Sequence, residues 1–399
     1  MPAQALAIAS PPPRAGPQSD EDFLAEVRAF LDRALTPDLR QACRDTLGVH
    51  AEIEASQLWY RRLYEQGWIA PAWPVEWGGT GWTPRQRYLF DQECARNDAP
   101  TLFQGGIRSL GPLLIEQGTP EQRARYLPAI LDGSDLWAQG FSEPGAGSDL
   151  AAISTRAERQ GDRYIVNGSK IWTTGAQYCN RMFAIVRTAD MPKRQQGMTF
   201  LLIDMDSPGL TVRPIIDLAG RHEFNQVFLD GVAVPAANRV GAENDGWTMA
   251  KRLMAMARSN NTPASLVRRS LRRAEALIAG QAPDPGLRRR LVELTLELES
   301  FEQLELNALP DGRPRPGDQT APSMLKLVGT ELHQRICELA LEAAGPAALP
   351  ALASVPADDP WLDAGSHATA KHLSVRAATI YSGTSETQRN VIAGQLLAP

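Results

Sequence analysis

Little in this chain points to a metal site, a disulfide scaffold or nucleic-acid binding. Its four cysteines, Cys43, Cys94, Cys179 and Cys337, lie far apart with no Cys-x-x-Cys pair. That spacing excludes a zinc knuckle or a disulfide framework and fits a reducing compartment. Basic residues are not in excess: 41 Lys and Arg stand against 46 Asp and Glu, a net charge of -5, and no basic stripe exists for a polyanion to follow. No run of residues is long enough to span a bilayer, and the first twenty residues lack the basic start and long apolar stretch of a secretion signal. A cytoplasmic protein that binds neither nucleic acid nor membrane is expected. The Gly-x-Ser-x-Gly elbow, His-Glu-x-x-His, Walker A and strand-following Gly-x-Gly-x-x-Gly patterns are missing too.

What is present is a globular composition, 43% hydrophobic and 22% charged over 399 residues, with room for two or three domains. Residues 1–18 are Pro-rich and read as a disordered tail. Residues 19–135 read as helical. The first helix is expected to open at Ser19, with Asp22 in capping-box position and Phe23, Val27, Phe30 and Leu31 facing a core. "APAWPVEWGGTGWTP" (70–84) concentrates Gly, Pro and three tryptophans, Trp73, Trp77 and Trp82, and reads as a loop folded onto that core. Over 136–245 the period changes. "DRYIVNGSKIWTT" reads as two strands joined by a hairpin turn at Asn167-Gly168, and further strands are expected at "RMFAIVRT", "MTFLLIDM", "LTVRPIID" and "NQVFLDGVAV". Residues 246–399 return to long helical periods broken at 280–286 and 309–322, the pattern of a four-helix bundle.

Three stretches invite chemistry. In "WAQGFSEPGAGSDL" (137–150), Gly140, Gly145 and Gly147 permit close backbone approach while Ser142 and Ser148 supply hydroxyls. Such a loop suits a planar heterocycle or a phosphate, or simply joins two domains. In "KIWTTGA" (170–176), Trp172 and Thr174 would share one side of a strand, either flanking a ring system or, for the tryptophan, filling a core. "IYSGTSETQRN" (380–390) breaks at Gly383 and starts a helix, with Ser385 and Gln388 at capping-box spacing and Val391, Ile392 and Leu396 forming an apolar face. Free amides at that helix start attract anions.

In this order, within a helical, β, helical chain, these motifs resemble the acyl-CoA dehydrogenase family of flavoproteins from about residue 20 to 398. "PVEWGGTGWTPRQRY", "GFSEPGAGSDL" and "GAENDGWTMAK" look most like the large subunits of pimeloyl-CoA-type dehydrogenases. The resemblance implies an α+β fold: an N-terminal helical domain, a middle β-barrel-like domain and a C-terminal four-helix bundle. It also implies FAD between the β domain and the C-terminal helices, an acyl-CoA substrate, and an electron-transfer flavoprotein or other acceptor. A homo- or hetero-tetramer, the latter with a related subunit, is implied as well. Carried over by position, Gln139, Phe141, Ser142, Gly147 and Ser148 line the flavin and the pantetheine path. Trp172 lies against the isoalloxazine, Thr174 near its N5 edge, and Thr384 and Glu386 meet the FAD. Ser148, Arg258, Tyr381 and Gly383 belong to the substrate side. Leu341 stands where many members have a glutamine for the adenosine end.

The family reaction removes an α-proton from an acyl thioester by a carboxylate while a β-hydride passes to flavin N5. The two positions from which family members supply that glutamate are Ser382 and Ala257 here. The resemblance therefore implies α,β-dehydrogenation with an unassigned base. Glu223, read as part of an exposed turn before a strand, and Glu386 are the acidic alternatives, beside the substrate's own carboxylate. Two other readings stand with it: a subunit of a hetero-oligomer whose related partner carries the competent site, and a different flavin reaction on the same fold.

Overall fold

Local capping signals set where the helices begin. The Ser19 hydroxyl accepts the Asp22 N–H at 3.1 Å and starts α1 (Asp20–Ala34), whose Phe23, Val27, Phe30 and Leu31 are buried as expected. Thr36, Thr83 and Thr119, each followed by proline, cap α2 (Pro37–Arg44), α4 (Pro84–Arg96) and α6 (Pro120–Leu131), because proline is pre-set for the first helical turn. Between them lie α3 (Ile53–Glu65) and α5 (Gly111–Gln117), the latter entered through a π-helical turn, Gly105–Leu110. The tryptophan loop folds onto this core: Trp73 and Trp82 are buried, and Trp82 meets Phe23 edge-on at 5.1 Å. Each such ring contributes on the order of 2 kcal/mol through burial. The computed structural model describes residues 19–257, 262–280, 284–310, 320–349 and 359–397. The expected tail (1–18) and Arg258 lie outside the described residues.

The middle of the chain forms one sheet from β1 (Trp137–Gly140), β2 (Arg156–Gln160), β3 (Arg163–Lys170), β4 (Arg181–Arg187), β5 (Met198–Asp204), β6 (Leu210–Ile216), β7 (His222–Pro235) and β8 (Arg239–Val240). Its order is β6-β7-β3-β2-β4-β5-β8, with β1 alongside β4, and the path stays open. One expectation fails here. Asn167-Gly168 is not a hairpin turn, since β3 runs through it with a bulge against β7, and the turn to β2 is at Gly161-Asp162. Gly168 is required for another reason: at φ 148° a Cβ would stand 2.5 Å from the Thr155 hydroxyl.

The C-terminal part contains α7 (Gly246–Ala257), α8 (Ala264–Ala279), α9 (Pro285–Asn307), α10 (Ala321–Ala344), α11 (Pro360–Val375) and α12 (Ser385–Leu396). Helices α8 to α11 pack as a bundle around Val267, Leu271, Leu298, Phe301, Ile336 and Leu339. Polar ties join the three parts. Gln122 of α6 donates to Ala237 O and Arg239 O, both at 2.8 Å, and Lys371 of α11 donates to Leu47 O at 2.7 Å.

Candidate functional site

Each of the three motif stretches contains a loop or tight turn; the first two are held by partners remote in sequence and the third from within the helix it starts. The loop after β1 is held from beneath by a buried ion pair. Lys170, 0% exposed, donates to Glu143 Oε1 at 2.7 Å and to Ile185 O at 2.7 Å. The Glu143 carboxylate also receives the Ser154 and Thr155 N–H groups at 2.6 and 3.0 Å. Burial alone would raise this carboxyl, but the Lys170 charge and these donors outweigh it and hold it below the usual range. Above the pair, Gly145 and Gly147 have open space where a Cβ would stand, Gln139 and Ser148 are exposed, and Ser142 is half-buried. Phe141 turns inward, its ring buried against Phe183 at 5.8 Å, so it anchors the loop rather than lining its outer face.

The second stretch is tied to the first by the Ile171 N–H donating to Ser142 O at 2.9 Å. It does not continue β3. Trp172 has φ 59°, so Trp172 and Thr174 are not alternate residues of a strand. Instead the segment lies along the start of β7, with Thr173 N–H on Asn225 O at 3.0 Å and Gly175 N–H on Glu223 O at 2.9 Å. The left-handed backbone leaves the Trp172 indole 58% exposed, touching Phe224 edge-on at 6.1 Å, while Thr173 is buried and Thr174 half-buried. A left-handed non-glycine backbone and an exposed large ring thus fall together at this one residue.

The third stretch is a tight turn before α12. Its cap is Thr384, whose hydroxyl accepts the Thr387 N–H at 3.1 Å, one residue ahead of the expected Ser385 box. Ser382 and Gly383 take φ 54° and 88°. Buried Gln388 reaches back to Ser382 O at 3.3 Å and Gly383 O at 3.2 Å, and a Cβ on Gly383 would lie 2.3 Å from its amide. Tyr381 is half-buried near Glu223; burial pushes its phenol up to about 12 and the Glu223 charge adds to this. Beside the turn is a cavity of about 300 Å³ bordered by Gln334, Thr384, Ser385, Glu386 and Arg389. The Ser385 hydroxyl is buried without a partner among the described residues, as is Lys326 Nζ on α10. Burial pushes Lys326 down to about 8, against the charges of Glu331 and Glu386. The apolar face expected on α12 is only partly covered among the described residues: Leu396 is exposed, and Val391 and Ile392 are half-buried.

The two acidic alternatives are placed plainly. Glu223 is not in an exposed turn. It is 3% exposed on β7, accepts the Val49 N–H at 2.8 Å and lies 3.8 Å from Arg221. Glu386 is exposed in the first turn of α12, where the helix-start amide and the Thr384 hydroxyl hold its carboxyl below the usual range. Ala257 closes α7. Sequence reasoning missed Asn225 and the Glu143–Lys170 pair, and read Gln388 as a capping-box partner of Ser385 rather than as the brace on Ser382 and Gly383. A lysine ending an otherwise half-apolar strand, with a glutamate inside a glycine-rich loop, was the available signal for that pair.

Helical domain, open sheet and helical bundle, in this order along the chain, define the architecture of an acyl-CoA dehydrogenase. The chain belongs to that family. Its residues 17–134, 138–232 and 244–397 match the family's N-terminal, middle and C-terminal domains. It is 36% identical to acyl-CoA dehydrogenase IpdE1 of Mycolicibacterium smegmatis over 94% of this chain and 97% of that protein, and 35% identical to the Mycobacterium tuberculosis IpdE1 over 95% and 98%. Among solved structures, the Tcur3481-Tcur3483 steroid ACAD superposes with a TM-score of 0.82 at 27% identity, covering 96% of this chain and 98% of that one. The ChsE4-ChsE5 complex of Mycobacterium tuberculosis gives 0.80 at 27% identity, over 97% and 99%. Both of these are named for a pair of chains. Members of the family are FAD-dependent oxidoreductases acting on acyl-CoA. Among the described residues no helix is long and apolar enough to cross a membrane.

Proposed function

We propose that the protein is an FAD-dependent acyl-CoA dehydrogenase subunit, which binds flavin and thioester in its own loops and works beside a related subunit that carries the proton acceptor. The observation behind this is the 380–384 turn, whose binding frame is fully braced while position 382 offers a hydroxyl in place of a carboxylate. A serine without a base partner forms no alkoxide near pH 7. Glu223 is committed to Val49 and Arg221, and an exposed carboxylate with a lowered pKa such as Glu386 is a poor base.

The residues present fit a flavin dinucleotide. Trp172 offers an exposed aromatic face, with the Thr174 hydroxyl two residues on. Gly145 and Gly147 leave open backbone near Ser142 and Ser148 for the flavin and the neighbouring pantetheine. At the α12 start, Thr384, Ser385 and the unpartnered Lys326 ammonium suit the anionic part of the cofactor. FAD bound there would supply the hydride acceptor. The Ser382 N–H, in a turn pinned by Gln388, is suited to polarise a thioester carbonyl, and electrons would leave through an electron-transfer flavoprotein or another acceptor. The steroid enzyme among the similar structures makes steroid-derived thioesters the first substrate class to try.

The test is purification of the tagged chain from its native host, followed by anaerobic titration with straight, branched, dicarboxylic, aryl and steroid-derived acyl-CoAs while flavin absorbance is read. A stoichiometric homologous partner, with bleaching by the pair and not by the chain alone, is expected. A homotetramer that bleaches unaided would sink the division of labour.

A further inference from the structure

Trp172 and Thr174 sit outside any strand, yet the backbone around them is tightly specified, and one buried side chain joins the main-chain bonds that specify it. Asn225 is fully buried at the start of β7. Its Nδ2 donates to Thr173 O at 3.1 Å and to the Gln177 carbonyl at 2.5 Å. Thr173 O can only accept, so the orientation of the Asn225 amide is determined and its Oδ1 must face His222 Nε2, 2.7 Å away. His222 Nε2 is therefore the donor. Gln177 completes the circuit by donating to His222 O at 3.0 Å. Main-chain bonds from Thr173 N–H to Asn225 O and from Gly175 N–H to Glu223 O lie on either side. The circuit brackets residues 173–177, immediately after the left-handed Trp172.

We infer that Asn225 is a positioning residue for the flavin reaction, acting through Thr173 and Gln177 to hold Trp172 and Thr174 toward the ring they serve. The inference rests on the FAD reading above. Its physical basis is that a left-handed tryptophan and an exposed indole both disfavour this conformation, so without the clamp the segment relaxes toward one that buries the ring. Asn225 touches neither flavin nor substrate in this role, and its effect is on their alignment.

The test compares wild type with Asn225→Ala and with Gln177→Ala. The latter opens the circuit at a half-buried side chain and spares the core if Asn225→Ala does not fold. Each is assayed for FAD affinity, for the flavin absorbance and circular-dichroism bands, and for amide exchange at 173–175 in the apoprotein. Loss of the clamp should raise the FAD Kd by about tenfold, the factor for one well-formed buried hydrogen bond. It should also shift the flavin bands and speed exchange at Thr173 and Gly175, with far-UV circular dichroism unchanged. In the assembled enzyme kcat should fall more than KM rises. Wild type that binds FAD beside variants with the same bands and affinity would overturn the inference and leave the FAD reading intact. Wild type that binds no FAD would overturn both.

Discussion

The Glu143–Lys170 pair gives the sharpest quantitative prediction, because both side chains are closed off from water and every donor is accounted for. Lys170→Met keeps most of the side-chain volume and removes the charge. The Lys170 ammonium donates to Glu143 Oε1, Ile185 O and Phe141 O at 2.7, 2.7 and 3.3 Å, so the substitution strands two carbonyls and a carboxylate. Removing one member of a buried pair costs about 3–5 kcal/mol. Glu143 keeps its bonds from Ser154 and Thr155, which places the expected loss near the lower end, about 3 kcal/mol. The assay is urea unfolding at matched protein concentration, the midpoint shift being converted with the measured slope. The double variant Lys170→Met/Glu143→Leu should recover at least half of the loss, since it leaves no lone charge in the interior. A single variant losing less than about 1 kcal/mol, or a double variant no better than the single, would refute this account of the loop.

Ser382→Glu restores a carboxylate on the braced turn; flavin bleaching by a good substrate in the isolated chain should accelerate by about 10² to 10⁴, read by anaerobic stopped flow. Gly383→Ala must fit a Cβ at φ 88° against Gln388 and should destabilise the turn by about 1–3 kcal/mol, visible as faster amide exchange over 380–388. Burial pushes the Glu305 carboxyl up to about 7. The stability tied to its neutral form is complete below the ordinary carboxylate pKa and lost as pH rises through 7, a change of up to about 3 kcal/mol. Glu305→Gln can still accept the Ala264 N–H, so its melting temperature should exceed that of wild type by more at pH 8 than at pH 5, and a gap independent of pH would count against the assignment.

Which features were legible follows from the distance between partners. Ser19 and Asp22 are three residues apart, and their cap was readable. The tryptophan loop was readable because three large rings cannot profitably stay in water. Asn167-Gly168 misled because its composition is that of a turn, while the need it meets, close approach to Thr155, comes from another strand. Glu223 looked exposed beside His222, and His222 is exposed. The partner that buries Glu223 is the Val49 amide, 174 residues away. For Trp172 and Thr174 strand alternation was the wrong geometry, because the backbone there is set by bonds to β7, the Asn225 amide among them. The glycines of the first loop and the turn at Gly383 were visible because a missing side chain is a local fact. The Gln388 brace was not, because glutamine fits a helix anywhere.

Gln388 braces the Ser382–Gly383 turn through main-chain oxygens, so no bond of the brace runs through the side chain at 382, where φ 54° asks only for a residue without a β-branch. A lineage can therefore discard or regain the acid there in a single codon change while the cradle stays intact. After duplication, one copy is free to lose the reactive group and drift toward a supporting role without first passing through a misfolded ancestor.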